Sequence, residues 1–428
     1  MKPKNLRLRA AQGSVLMVTL FMVSLIGFFL FSYLYLVRTQ RTQVARSQAW
    51  NSALAMAEAG LEEALAQLNP GAPQPAIDRT ANGWGAASGG FYGPMSRTLT
   101  NVGSYSVVIS TNAFPLIYST GYVSIPSISA TISRTLRLTT STPGLFSVGM
   151  AAKYNIDLKG NNINTDSFDS ANTNFSSNGQ YDSAKASTNG DLASIQGIVN
   201  VGNADIHGDV LLGPTASETQ LNNGSVSGGV TNDFNVEFPD VVLPSGSALP
   251  APLGIPPLNL PLTTNGISYD YAFFTGGYYK ISNLNGNIYV APGAVVSLLL
   301  SGNATAGYIR VASAGGITGN LALYMDGPTF TLSGNDTVDS GSALNFSYYG
   351  TTNNTTLKFT GNAAFTGTIY APEADFSLGG GGNNAYDFVG SSYTASTSLN
   401  GHFNFHYDEN LARGGPKRGF VASSWHEL

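Results

Sequence analysis

The sequence predicts an α+β fold: a long N-terminal helix, transmembrane in its first part and amphipathic in its second, with a small antiparallel sheet, followed by a mostly-β parallel β-helix. Three observations predict it. An uncharged apolar run from Val15 to Val37 continues without Pro into a helix-forming segment that ends at Leu68. Residues 103 to 140 alternate apolar and polar side chains between turn signals. Beyond residue 144 the pair Gly-Asn begins at 160, 202, 286, 302, 319, 334, 361 and 382, with spacings of 16, 17 and 15 between 286 and 334. A period of that size belongs to stacked coils.

Composition narrows the function classes. The 428 residues are 43% hydrophobic and only 11% charged, with 50 Gly. Average chains carry about 25% charge and about 7% Gly. Such low charge with many apolar residues argues against disorder. A net charge of −5 argues against nucleic acid as a partner. The absence of Cys removes disulfides and thiolate metal sites, so packing and hydrogen bonds must hold the fold.

The first element spans a bilayer by length, since about 18 apolar residues suffice. Lys2, Lys4, Arg7 and Arg9 precede it without an acid, which keeps the N-terminus cytoplasmic and sends the bulk of the chain across. Past Val37 the segment to Leu68 is rich in Ala, Leu, Gln, Glu and Arg, all strong helix formers except at Gly60. Val44, Leu54, Ala57, Leu61, Ala64, Leu65 and Leu68 recur at helical steps and predict a buried stripe, with Arg38, Arg41 and Arg46 toward water. From Gly13 to Leu68 the rod would be roughly 84 Å long. Asn69-Pro70-Gly71 ends it.

A short basic leader ending in Gly, before a helix that is half membrane span and half amphipathic, resembles the design of type IV pilins. "QGSVLMVTLFMVSLIGFFLFSYL" at 12–34 and "ARSQAWNSALAMAEAGLEEAL" at 45–65, with its Ala57-Glu58-Ala59-Gly60-Leu61, are similar to PilX-type minor pilins. The resemblance implies that a prepilin peptidase cuts after Gly13 and leaves Ser14 as the N-terminus. The apolar segment, including Val15, Leu20, Phe28 and Val37, then serves as inner-membrane anchor and later as fibre core. Major pilins carry Glu at the fifth residue after the cut, where this chain has Val18. That departure suits an initiating or tip subunit better than a repeated place in the shaft. A plain uncleaved anchor is the alternative.

Residues 70–98 read as a Pro-, Gly- and Ala-rich loop. The stretches 103–110, 115–125 and 130–140 read as three strands of a pilin-like sheet covering Leu54, Leu61 and Leu65. "GNADIHGDVLLGP" (202–214), "GNAAFTGTIYAP" (361–372) and "GNIYVAP" (286–292) align as a turn, a short apolar strand and a Pro at the corner. Stacked, such units make a β-helix with Val210, Ile288, Val290 and Ile369 inward and Gly or Asn supplying positive φ at corners. An antiparallel sandwich is the alternative. Seven prolines between 239 and 261 mark an extended connector over the solenoid. The division read from the sequence is leader 1–13, helix 14–69, sheet module 70–143, first coils 144–236, connector 237–263, later coils 264–411 and tail 412–428. The order "GNNINTDSFDS" (160–170), Pro-rich connector, "IYAPEADFSLGG" (369–380) and "LNGHFNFHYDENL" (399–411) also resembles a C-terminal domain fused to PilX-type N-termini, and its short coil resembles bactofilin-like β-helices.

Candidate chemistry is sparse. His402, His406 and Asp408 share one face of "HFNFHYD" and would supply two imidazoles and a carboxylate to a metal. The competing reading, which the residues favour, is a last strand capping the helix end, aromatic side inward and polar side outward. Asp166, Asp169 and Asn161 lack the spacing of a calcium loop. No nucleophile elbow or phosphate loop occurs, and only seven residues between 251 and 360 are charged, so the expectation is a protein without enzymatic activity or cofactor. The expected function is a structural minor pilin or pseudopilin-like subunit of a type IV pilus or related secretion fibre. Its expected partners are other pilins, the peptidase, the membrane and a surface ligand of the β-helix. The rival is a membrane-anchored β-helical scaffold or adhesin outside any fibre, and an exported polysaccharide-active enzyme comes third.

Overall fold

The computed structural model describes residues 12–69, 80, 82–125, 128–160, 163–219, 223–243, 262–334, 337–361, 364–380 and 386–428. The chain divides into two units. One contains 1–67, 78–141 and 422–428, and the other contains 68–77 and 142–421.

In the first unit a single helix runs from Gln12 to Leu68 without a break. The hydroxyls of Thr19, Ser24, Thr39 and Thr42 donate to carbonyls three or four residues back, so none of these four leaves a polar group unpaired along the rod. Its second part buries Ala49, Ala53, Met56, Ala57, Leu61 and Ala64. Of the expected stripe, Ala57, Leu61, Ala64 and Leu68 are buried, Leu54 and Leu65 are only half-buried and Val44 is exposed, so the buried face is turned toward Ala53 and Met56. Small residues face the sheet because the backbones come close. A Cβ on Gly121 would lie 2.1 Å from the Ala53 carbonyl oxygen, and one on Gly60 would lie 2.2 Å from Ser119 Oγ.

The sheet runs in the order 91–99, 103–110, 116–125, 130–141, 421–427. Its first three pairings are antiparallel, as expected for the strands at 103, 116 and 130. Two strands were not foreseen. Phe91–Leu99 occupies part of the expected loop, its ladder interrupted between Tyr92 and Met95. Val421–Glu427 lies in the expected tail and adds the fifth strand, held by Arg134 to Glu427 and by Thr139 to Ser423 and Ser424. The solenoid is therefore an insertion between the fourth and fifth strands of this sheet.

The second unit is a parallel β-helix with three faces. Inward residues form columns from coil to coil: Ile288, Ile309, Val338, Phe365, Phe388 and Phe405 on the first face, and Leu298, Leu323, Tyr348 and Ile369 on the second. Phe388 stacks between Phe365 at 4.5 Å and Phe405 at 4.4 Å. Val210, Ile288, Val290 and Ile369 are all fully buried in this core, as expected. Each such side chain withdrawn from water contributes about 1.5–3 kcal/mol before the entropy of ordering is set against it.

Coil order in space departs from coil order in the sequence. The later coils stack from 271 to 401, and the next layer is assembled from two distant pieces. Phe403–Asp408 supplies its first face, while Met150–Ala152 and Ile156–Leu158 supply the other two. The first coils in sequence then follow, through 164–168, 192–200, 205–219 and 225–231. The strand 403–408 is thus interior to the stack and not its cap. Its packing on 164–168 corrects that expectation.

At the corners the expectation holds for Gly, with positive φ at Gly202 and Gly286, but not for Asn. Among the described Gly-Asn pairs, Asn203, Asn287, Asn303 and Asn320 have negative φ. Their role is seen in Asn287, whose Oδ1 accepts the N–H of Tyr308 one coil on (2.7 Å). Asp191 and Asp209 do the same for Asp209 and Gly229. Gly302 is needed for room, since a Cβ there would sit 2.4 Å from the Ser282 carbonyl.

Outside the second face, Tyr324, Tyr349, Tyr370 and Tyr393 form a column in adjacent coils. Phe146, Phe234, Phe238 and Val241 cover it as a second core, and the Tyr370 hydroxyl donates to the Pro239 carbonyl (2.7 Å). The beginning of the expected connector therefore lies on the solenoid. Residues 244–261 are outside the described residues.

Candidate functional site

Two features carry candidate function. The first is the apolar part of the long helix. An 18-residue window within it has mean hydropathy 2.5 and none of it is buried, so by length and composition it can cross a membrane. Val15, Val18, Leu20 and Phe28 are exposed and Val37 is half-buried. Nothing lies within 4 Å of a Cβ at Gly27. Gly13 and Ser14 belong to the helix, and the preceding basic residues fall outside the described ones. Such an all-round apolar surface is stable in lipid or against other helices, not in water. The same rod then becomes the buried partner of the sheet, where Glu63 joins Arg97 (2.6 Å) and accepts the Tyr105 hydroxyl (2.5 Å).

The second feature is a polar cluster on the composite layer. His406 points outward from its strand as the alternation requires, yet its side chain is only 2% exposed. The segment 169–191 covers it. Tyr181 from that segment stacks on the imidazole, with centroids 3.6 Å apart, and donates its hydroxyl to Asp166 Oδ2 (2.6 Å). His406 Nδ1 lies 2.5 Å from Asp166 Oδ1, and Nε2 lies 3.5 Å from Asp387 Oδ1. Burial pulls the His406 pKa down, but hydrogen bonding and attraction from the two carboxylates outweigh it and leave it raised. Asp387, 3.5 Å from that imidazole and accepting from Asn404, is lowered.

Asp408, 1% exposed, accepts the N–H groups of Ser170 (3.0 Å) and Asn410 (3.1 Å) on Oδ1, while Oδ2 is buried without a partner. Burial raises its pKa. Asp169 is bound by Arg413 (2.6 Å). His402 precedes the strand, half-buried, and its carbonyl accepts the Tyr386 N–H. The two nitrogens of His406 therefore face Asp166 and Asp387, not His402 or Asp408. Among the described residues no group of three or more His, Asp or Glu is placed to hold a metal ion. Asn161 lies outside the described residues. Sequence reading missed Asp387 and Tyr181, because neither is near His406 in the chain.

Residues 282–414 match a family model described as a domain of unknown function, DUF7305, which covers part of the solenoid. No curated protein matches. Among solved structures, the competence-associated pilin ComZ from Thermus thermophilus aligns over 88% of this chain and 97% of its own, with 12% identity and a TM-score of 0.24. At that score the likeness decides nothing about fold or function.

Proposed function

We propose that the chain is a structural, non-enzymatic subunit of a type IV pilus or related secretion fibre, similar to PilX-type minor pilins. In this reading its N-terminal helix holds it in the bacterial inner membrane, N-terminus inside, until assembly. The inserted solenoid is then displayed for assembly, adhesion or surface interaction. One observation carries the reading. The helix Gln12–Leu68 passes from exposed and apolar to sheet-packed without interruption. A mere anchor needs about 20 residues and gains nothing from a rigid continuation. A subunit that must transfer its apolar segment from lipid to a fibre core needs both parts on one rod.

Cleavage after Gly13 by a prepilin peptidase follows from this reading, because the basic leader would carry a large desolvation cost into an apolar fibre core. Val18 offers no carboxylate to a neighbour's amine, which favours an initiating or tip position. Mass spectrometry of the native protein tests the proposal. A mature chain beginning at Ser14 and present at low abundance in sheared fibres is expected, as is inner-membrane retention of a Gly13→Leu variant. A terminus at Met1 or Lys2, with no protein in fibres, overturns the proposal in favour of an anchored envelope scaffold.

A further inference from the structure

The composite layer is where two runs of coils, far apart in sequence, must close on each other. The coil it packs against, 386–401, has a more polar inner wall than the coil before it. In the coil 386–401, Ser392, Thr394 and Thr397 stand in the columns that Ile369, Ala371 and Phe376 fill one coil earlier. Ser392 Oγ is buried without a hydrogen-bond partner where it meets Met150. Apolar attraction across this seam is thus weaker than elsewhere in the stack.

Outside the same seam sits His406, bridging Asp387 of the later run and Asp166 of the earlier run. The groups facing it are Asp166 from strand 164–168, Asp387 from strand 386–401 and Tyr181 from the covering segment. On its own strand Asp408 lies two residues on, turned to Ser170 and Asn410. A neutral imidazole donates one proton and satisfies only one carboxylate. The imidazolium keeps its bond to the buried Asp166 and sets its positive charge 3.5 Å from the half-exposed Asp387 as well, attracting a carboxylate from each run of coils.

We propose that the seam between the two runs of coils is held closed by the charged form of His406 and loosens when that imidazolium loses its proton. The direction follows from linkage. Since the folded state raises the His406 pKa above the unfolded value, the added stability is complete below about pH 6.5 and is lost as pH rises through the folded pKa. Asp387, whose pKa is lowered, would respond in the opposite sense, while Asp408, whose pKa burial raises, shares the sense of His406, so His406→Gln is needed to assign the response. Loosening frees the segment 169–191 and the layer 150–158, leaving the coils from 285 to 350 intact.

Hydrogen exchange on the full chain in detergent micelles, with EDTA present, tests this. Protection at 164–168 and 403–408, corrected for intrinsic rates, should fall on the order of tenfold for each unit of raised pKa between about pH 6 and pH 9. Protection at 296–300 and 321–325 should not change. His406→Gln should abolish the pH dependence at the seam. Should that variant fail to fold, Asp387→Asn, altering a half-exposed carboxylate, should move the midpoint to lower pH. A seam as insensitive to pH as the control strands, or a pH dependence that persists in His406→Gln, overturns the proposal. So does a His406 pKa, read by NMR, at or below that of free histidine.

Discussion

The main-chain N–H of Leu145 donates to the carbonyl of Pro416 (2.7 Å), so the strand that brings the chain into the solenoid lies beside the one that takes it out. Gly144 and Lys417 form an antiparallel bridge next to it, and the Arg418 N–H donates to the Pro143 carbonyl. Adjacent termini are the condition under which a domain can be inserted into another without disturbing it. Replacing residues 145–415 by a short Gly-rich turn should therefore leave the helix and its five strands folded. Circular dichroism and limited proteolysis in micelles would check this, with a protease-resistant strand at 421–427 as the expected result.

Close packing of helix on sheet makes two glycines unequal. At Gly121 an added Cβ meets backbone atoms of Ala53 and Ala57, which can yield only if the helix moves. At Gly60 it meets the Ser119 hydroxyl and the Tyr105 ring, which can turn. Gly121→Ala should cost about 3 kcal/mol and Gly60→Ala about 1 kcal/mol, as measured by denaturant melts. Equal costs would mean that the helix is free to shift.

The tyrosine column outside the second face should depend on its cover. Phe238, 7% exposed, lies 5.1 Å from the ring of Tyr393. Phe238→Ala should destabilise the solenoid by about 3 kcal/mol, the lower end for burying and losing an aromatic ring. Exposure of Tyr370 and Tyr393 would register as a change in tyrosine fluorescence before global unfolding.

Acid should weaken the first unit through Glu63. Burial pushes its carboxyl up, but Arg97 and the Tyr105 hydroxyl bring it below the ordinary value, while burial and Glu63 push Tyr105 up to about 12. A lowered folded pKa means stability present above about pH 4.3 and lost as pH falls through the folded value. Glu63→Gln should therefore be less stable than the parent at neutral pH and nearly equal to it in strong acid, in paired melts.

Much of this architecture is legible in the residues because it is local. The helix follows from composition over Val15–Leu68, the three central strands from alternation, and the coils from their corner residues. The strand Phe91–Leu99 was hidden because Gly93 and Pro94 break its alternation. Stacking order was hidden for a deeper reason. An apolar triplet such as Val210-Leu211-Leu212 marks a coil segment but fits any layer, so nothing local tells 150–158 to dock on 391–399. His406 was legible as an outward residue, and only the remote Tyr181 makes outward mean buried. The shifted stripe has a similar origin: periodicity ranks Leu above Ala, but close backbones select Ala53 and Gly60 beside Ala57.

Because 150–152 pairs with 392–394, the solenoid is tethered at its middle layer and not at an end. The stretches 142–144 and 417–420 lead into and out of the solenoid side by side, so a pull on the coils would reach both together. The helix-bearing unit would be loaded on its fourth and fifth strands together, so neither would be peeled off alone. Either arm of the stack could be bent or even torn at its tip without severing the other from its mooring.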